Sequence, residues 1–273
     1  MDAQITAIYS ITDDILKAMQ HDHNPQQQMT DAEVITTALV AMRFFGGNFE
    51  RARGLLQAPT YIPKMLSKSR FNRRLHSLSG LVLMLFRAFA AIFKQLNPSA
   101  EYIIDTFPLA VCDNIRIRRC QIYQSEAYRG YKPSKRRYFY GLKIHLMVTA
   151  TGQPVEFFLT PGAIGDVDGL KVFEFDLPAG SLVYGDKAFN DYELEDLLLE
   201  ACGIRLQPCR KQNSKRPVLS YVAYIQHRIR KLIETTGSLI ERMLPKSIHV
   251  VTAKGFELKA ALFVLAHSVS CAL

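Results

Sequence analysis

Three carboxylates stand where they could do chemistry: Asp105, Asp186 and Glu234. Asp105 closes the apolar run Tyr102-Ile103-Ile104. A carboxylate in such a strand is costly to bury unless it is paired or binds a cation; an aspartate at a strand end, satisfied by backbone amides, explains it equally well. Asp186 follows Ser181-Leu182-Val183-Tyr184-Gly185. The carboxyl end of a sheet strand is a common site position, and also a common helix N-cap, with Lys187 alongside to neutralise the acid. Glu234 lies on a helical stretch whose apolar face carries Ile225, Ile229, Leu232, Leu239 and Met243. It shares the polar side with His227 and Arg230 at turn spacing; an exposed Arg230–Glu234 pair, worth about a few tenths of a kcal/mol, is the plain alternative. Brought to one point, three carboxylates would repel each other and titrate high unless cations neutralised them. An oxygen-only donor set suits Mg²⁺ or Mn²⁺ rather than zinc. Two such ions about 4 Å apart can activate a nucleophile and stabilise a leaving oxygen in phosphoryl transfer.

The surrounding elements decide whether the three acids can meet. Before Asn97-Pro98 the pattern is helical. Ile5, Ile8, Ile11, Ile15 and Met19 recur at helical spacing. Thr30, followed by Asp31 and Glu33, reads as a capped start for a second helix that ends at Phe45-Gly46-Gly47. A third helix is expected over 48–56 and a single longer one over 69–94. After Glu101 the pattern alternates. Strands are expected at 102–105, 139–149 and 154–159, with a turn at Gly152-Gln153. A helix at 168–175, a strand at 181–185, a helix at 192–201 and a strand at 204–207 follow, then helices at 222–243 and 258–268. In the strand over 139–149, Leu142, Ile144, Leu146 and Val148 alternate with Lys143, His145, Met147 and Thr149. This order is that of a ribonuclease H-like α/β fold, a mixed sheet with flanking helices, over 99–273. An all-helical region over 1–98 precedes it. In that order the first strand and the end of the fourth are neighbours and the last long helix packs across them, so Asp105, Asp186 and Glu234 converge.

Composition narrows the partners. The chain has 273 residues, 48% of them hydrophobic and 22% charged, with a formal net charge of +9. A disordered chain is excluded, and the basic balance fits a polyanion such as nucleic acid. The odd set Cys112, Cys120, Cys202, Cys209 and Cys271 has no C-x-x-C pair, which argues against a disulfide framework or zinc knuckle. The apolar stretches Leu81–Phe93 and Ala260–Ala266 are too short or too interrupted to span a bilayer, and no signal peptide opens the chain. A soluble, cytoplasmic protein is expected. His145, Asp166 and Asp168 are weaker candidates: a structural histidine, and two acids that cap the next helix.

The segments YIIDTFPLAVCDNIRIRRC, YRGYKPSKRRYFYGLKIHLMV, YGDKAFNDYELED, RKQNSKRP and RIRKLIETTGSLIERMLP, with AKGFELKAALFVLAHSV after them, resemble the DDE-class transposases of bacterial insertion sequences. The family called nine-eight-two is the nearest in pattern, and the resemblance runs over nearly the whole chain. It implies that Asp105, Asp186 and Glu234 are catalytic and metal-binding, with two Mg²⁺ or Mn²⁺ ions per site. The R-x-x-x-E spacing on the last long helix matches Arg230 and Glu234. Related transposases add a Tyr three residues before that Arg and a Lys seven after the Glu; here those positions hold His227 and Glu241, with Arg242 next to the latter. The implied activity is DNA cleavage at element ends and strand transfer into target DNA, by a homodimer on DNA. Lys132, Lys135, Arg136, Lys187, Arg210, Lys211 and Arg230 become expected phosphate contacts, although a solvated basic face explains such runs too. Tyr123, Tyr128, Tyr131 and Tyr138 are interleaved with the earlier of these. Arg70, Arg73 and Arg74 would sit on a helix that reads the element's ends, or on an ordinary exposed helix start. A ribonuclease H-like nuclease without strand transfer, and an inactive DNA-binding relic, are the rival readings.

Overall fold

A computed structural model of the chain describes residues 1–22, 24–132, 136–210, 214–216, 221, 222, 224, 225, 231, 235, 238 and 250–273. Two units emerge: Met1–Phe89 with Ile240–Leu273, and Ala90–Leu239. The continuous division at 98/99 expected from the sequence differs from this in grouping the C-terminal segment with the sheet.

The helical unit is built around α2. Helix α1 (Asp2–Ala18) packs on α2 (Asp31–Phe45), which also meets α3 (Phe49–Leu56), α4 (Lys68–Ser77) and the last helix, called here α8 (Ala253–Ala272). Val34, Ile35, Ala38, Leu39, Val40, Ala41 and Met42 are all buried. A helix apolar on every side must be wrapped by others. Thr30 caps the helix as expected, and does so in a capping box: its hydroxyl accepts from Glu33 N, and Glu33 accepts from Thr30 N at 2.7 Å. Gly46, in the left-handed region at φ 55°, stops the helix. Helix α8 is long and apolar enough to cross a membrane, yet 72% of its apolar window is buried. Gly47, where a Cβ would lie 3.1 Å from Phe263 Cζ, lets it approach.

The single helix expected over 69–94 is two, α4 and α5 (Ser79–Gln95), bent by 57°. Leu78 leaves helical geometry (φ −93°, ψ 9°), and its N–H is shared between Arg74 O and Leu75 O. The flanking Ser77, Ser79 and Gly80 are weak helix formers. The heptad-like apolar spacing carries through the bend, which is why it reads as continuous.

The second unit holds an α/β mixed sheet with the ribonuclease H-like order. Strand β1 (Glu101–Asp113) is central, antiparallel to β3 (Arg137–Thr149) and parallel to β5 (Leu182–Gly185), which is itself parallel to β6 (Arg205–Pro208). Strand β4 (Pro154–Pro161) pairs with β3 from Leu142 to Val148. The short strand β2 (Arg129–Lys132), absent from the sequence reading, pairs with β3 from Arg137 to Tyr140. Strands β2 and β4 therefore share one edge of β3, end to end. Helices α6 (Asp166–Leu170) and α7 (Tyr192–Cys202) connect β4 to β5 and β5 to β6. Helix α6 is shorter than the 168–175 expected. The stretch 222–243 lies largely outside the described residues.

Both faces of β3 are covered: His145, Met147 and Thr149 are buried as well as Leu142, Ile144, Leu146 and Val148. Alternating polarity did not mark a wet face here. Where β3 passes from β2 to β4, Gly141 adopts φ 155°, and a Cβ would lie 2.2 Å from Leu109 O on β1. Opposite it, the β1–β3 register shifts between Ala110 and Cys112. Gly141→Ala should lower the urea midpoint of the sheet unit by the equivalent of about 2 kcal/mol or more. Tyrosine emission can read this, because the chain lacks tryptophan and all its tyrosines except Tyr9 and Tyr61 lie between residues 102 and 224. An unchanged midpoint would show that β1 yields at this crossing.

Candidate active site

Asp105 and Asp186 meet through the pairing of β1 with β5. The parallel register aligns Ile103 with Tyr184. Two residues further along the chain stand Asp105, within β1, and Asp186, the residue after β5, still in extended backbone. The step of two keeps each acid on the face of its registered predecessor, and neighbouring strands run about 4.8 Å apart. The two carboxylates are therefore level on adjacent strands and on one face, and both are partly exposed.

Local contacts fix each of them. Asp105 Oδ1 accepts the Thr106 N–H at 2.8 Å. Gly185, just before Asp186, is closely packed: a Cβ would lie 3.1 Å from both Ile104 Cγ1 and Phe189 Cδ2, so both side chains would have to give by a few tenths of an ångström. Beyond Gly185 the chain makes a 3-10 turn, Lys187–Phe189, with Phe189 N donating to Asp186 O and Phe189 buried. Asp186 makes no side-chain capping bond to that turn. Cys209 N donates to Gly185 O at 2.9 Å, tying the strand end to β6. Asn190 Nδ2 donates to Lys187 O and Cys209 O, bracing the turn.

Behind Asp105, the imidazole of His145 is wholly buried between two hydroxyls: Nδ1 is 3.1 Å from Thr106 Oγ1 and Nε2 2.8 Å from Thr160 Oγ1. It stacks on Phe158 at 4.7 Å. Gly169 on α6 makes the space, since a Cβ there would lie 2.0 Å from His145 Cε1. Asp166 pairs with Lys143 Nζ at 3.2 Å. His145 is thus a structural residue that holds β1, β4 and α6 together behind the acid.

Of the expected phosphate contacts, Lys187, Arg136, Arg70 and Arg73 are exposed, and Lys132 is partly so. Arg74 bonds Asp31, which also takes His21 at 2.8 Å, so Arg74 fastens α4 to α2. Arg210 has an internal role: its guanidinium grips buried Glu195 with both terminal nitrogens at 2.6 Å and also donates to Asn190 Oδ1. Arg216 pairs with Asp196 and, like Arg210, lies over the Tyr192 ring. Glu234, Arg230, Lys211, Lys135, His227 and Arg242 lie outside the described residues. Among the described residues no group of three His, Cys, Asp or Glu forms a cation cage. The two hard oxygen donors, one within β1 and one just past β5, fit one side of a Mg²⁺ or Mn²⁺ site, and a third acid would have to come from elsewhere.

Burial pushes the His145 pKa from 6.5 down to about 4, against the opposing pull of Asp166 and with a smaller push from Lys143. Its folded value lies below its unfolded one, so the unfolded chain takes up the proton first. The neutral ring's contribution is complete above pH 6.5 and is lost as pH falls towards about 4. That contribution is on the order of 3 kcal/mol. His145→Gln should flatten the stability–pH profile of urea midpoints in this window; a profile parallel to the wild type would assign the acid sensitivity to other groups.

Residues 97–253, a span of more than half of the chain that includes every strand of the sheet, match a family model described as a transposase DDE domain. No curated protein and no solved structure matches the chain. With two level acids on the strands of a ribonuclease H-like sheet inside the matched span, the chain belongs to the family of the transposase DDE domain.

Proposed function

We propose that this transposase cuts DNA at the ends of an insertion sequence and joins the freed ends to target DNA, with Asp105, Asp186 and Glu234 as its catalytic carboxylates. The observation that supports the proposal is the register of β1 on β5, in which Ile103 faces Tyr184, two residues before Asp105 and Asp186 respectively. Asp105, Asp186 and Glu234 would hold Mg²⁺ or Mn²⁺, two ions per site, and such ions supply Lewis-acid polarisation of the phosphate and neutralise the charge that develops on its oxygens. The chain's own part is positioning. The Thr106 amide orients the Asp105 carboxylate, and the Lys187–Phe189 turn fixes the direction from which Asp186 approaches. Lys187 and Arg230 are placed in sequence to bind phosphate oxygens beside these acids.

Two displacements follow at the one site. In the first, water oxygen bonds to phosphorus as the P–O3′ bond breaks, and the leaving 3′ oxygen takes up a proton. In the second, that 3′-hydroxyl gives up its proton and attacks a target phosphodiester, so a new P–O bond replaces the old. No nucleoside triphosphate is consumed. A pair of element ends needs two sites, so the working form is a homodimer on double-stranded DNA. The helical region over 1–98 binds the ends, with Arg70 and Arg73 exposed on α4, and helps dimerise.

Incubation with Mn²⁺ and DNA carrying the ends that flank the gene should give cleaved and joined products, and Asp105→Asn or Asp186→Asn should lower both by at least about a thousandfold. Cleavage without joining would favour a ribonuclease H-like nuclease; end-specific binding without cleavage in the wild type would make the chain a DNA-binding relic. End binding should weaken steeply between low and physiological salt, with a slope set by the phosphates contacted. A flat salt response would remove the basic residues from the interface.

A further inference from the structure

Strand β2 and the start of β3 form a hairpin with two unlike faces. One face is anchored. Phe139 is buried over Gly130, where a Cβ would lie 2.4 Å from Phe139 Cζ and 2.7 Å from Gly162 O. Alternation puts Arg129 and Tyr131, with Tyr138 and Tyr140, on the opposite face. There Tyr131 and Tyr138 are direct cross-strand partners, their ring centroids 5.0 Å apart. They are 47% and 48% exposed. The Arg129 guanidinium lies 4.4 Å from the Tyr138 centroid. Glu126, 3.3 Å from Arg129, accepts the buried Tyr140 hydroxyl at 2.6 Å and fixes the inner end of this row.

Two half-exposed rings gain little for the fold when Phe139 already secures the hairpin. They do present two aromatic faces to solvent, tilted by 52° to each other, with a cation beside one of them. The hairpin's end is cationic: Lys132 and Arg137, on the face of Phe139, are direct cross-strand partners, with exposed Arg136 adjoining. Nucleic-acid bases stack on aromatic rings with little regard to sequence. A B-form duplex hides its base faces, so only unpaired or unstacked bases can use these rings.

We infer that the end of this hairpin is a binding site for single-stranded or unstacked DNA, with bases stacked on Tyr131 and Tyr138 on one face and backbone phosphates at the tip cations Lys132, Arg136 and Arg137. The inference rests on the proposed reading in that DNA is the substrate, and adds that strands come apart where this hairpin holds them.

The test measures binding by full-length protein without divalent cations, so that cutting plays no part. Anisotropy of a labelled oligo(dT) and of a duplex of equal length would be compared for the wild type, Tyr131→Ala, Tyr138→Ala and the corresponding Phe variants. Each Ala variant should bind oligo(dT) about tenfold more weakly and bind duplex within about twofold of the wild type. The Phe variants should bind like the wild type. Oligo(dT) should also quench the tyrosine emission of the wild type and of both Phe variants more than that of the Ala variants. Wild-type protein that ignores oligo(dT), Ala variants that bind it normally, or equal losses on duplex and single strand would each overturn the inference. Tyrosine-dependent binding in a protein that cuts no DNA would instead leave the inference standing and remove the proposed reaction.

Discussion

The parallel pairing of β1 with β5 is the constraint on which the site depends. A parallel ladder holds its two strands in one fixed stagger, so two residues that each follow a registered pair by the same step must be neighbours. Ile103 opposite Tyr184 is that pair, and the acids are the consequence. Gly185 packs closely at this point, and a Cβ there would press on Ile104 and Phe189. On the other side of β1, the wholly buried His145 fills the space between Thr106, Thr160 and Gly169. The strand that carries Asp105 is thus packed from both directions, and its carboxylate is held where a long side chain on a surface helix would wander.

Much of this was legible in the sequence. The apolar runs before Asp105 and Asp186 located two strands, and a carboxylate in an apolar strand, a rare expense, drew attention to Asp105. Thr30 and the acidic turn after it announced a capped helix start, which the fold completes as a capping box with Glu33. Other features were hidden for physical reasons. Arg129-Gly130-Tyr131-Lys132 is too short and too polar to read as a strand; it becomes one because Gly130 lets Phe139 lie across it. The bend at Leu78 was masked by apolar spacing that suits two helices as well as one. The polar positions of β3 were misleading because His145 and Thr149 find partners inside the fold. Arg210 looked like part of a basic surface, and only three-dimensional structure reveals buried Glu195 as its partner.

Positive charge in this chain is therefore of two kinds. Arg74 and Arg210 are spent internally, each clamping one element to another. Arg70, Arg73, Arg136 and Lys187 stay exposed. Exposed cations give affinity and salt dependence without sequence preference, so any selectivity at the sheet has to come from geometry: two level acids on one side, and two half-exposed tyrosine rings on the hairpin.

The central claim is that Asp105 and Asp186 form one cation site. It is tested most directly by titrating the protein with Mn²⁺ and following free Mn²⁺ by electron paramagnetic resonance, for the wild type, Asp105→Asn and Asp186→Asn. The account predicts that the wild type takes up Mn²⁺ and that each substitution abolishes or greatly weakens the same tight binding event. Mn²⁺ uptake that is unchanged in either variant would contradict it, because the two carboxylates would then not share an ion.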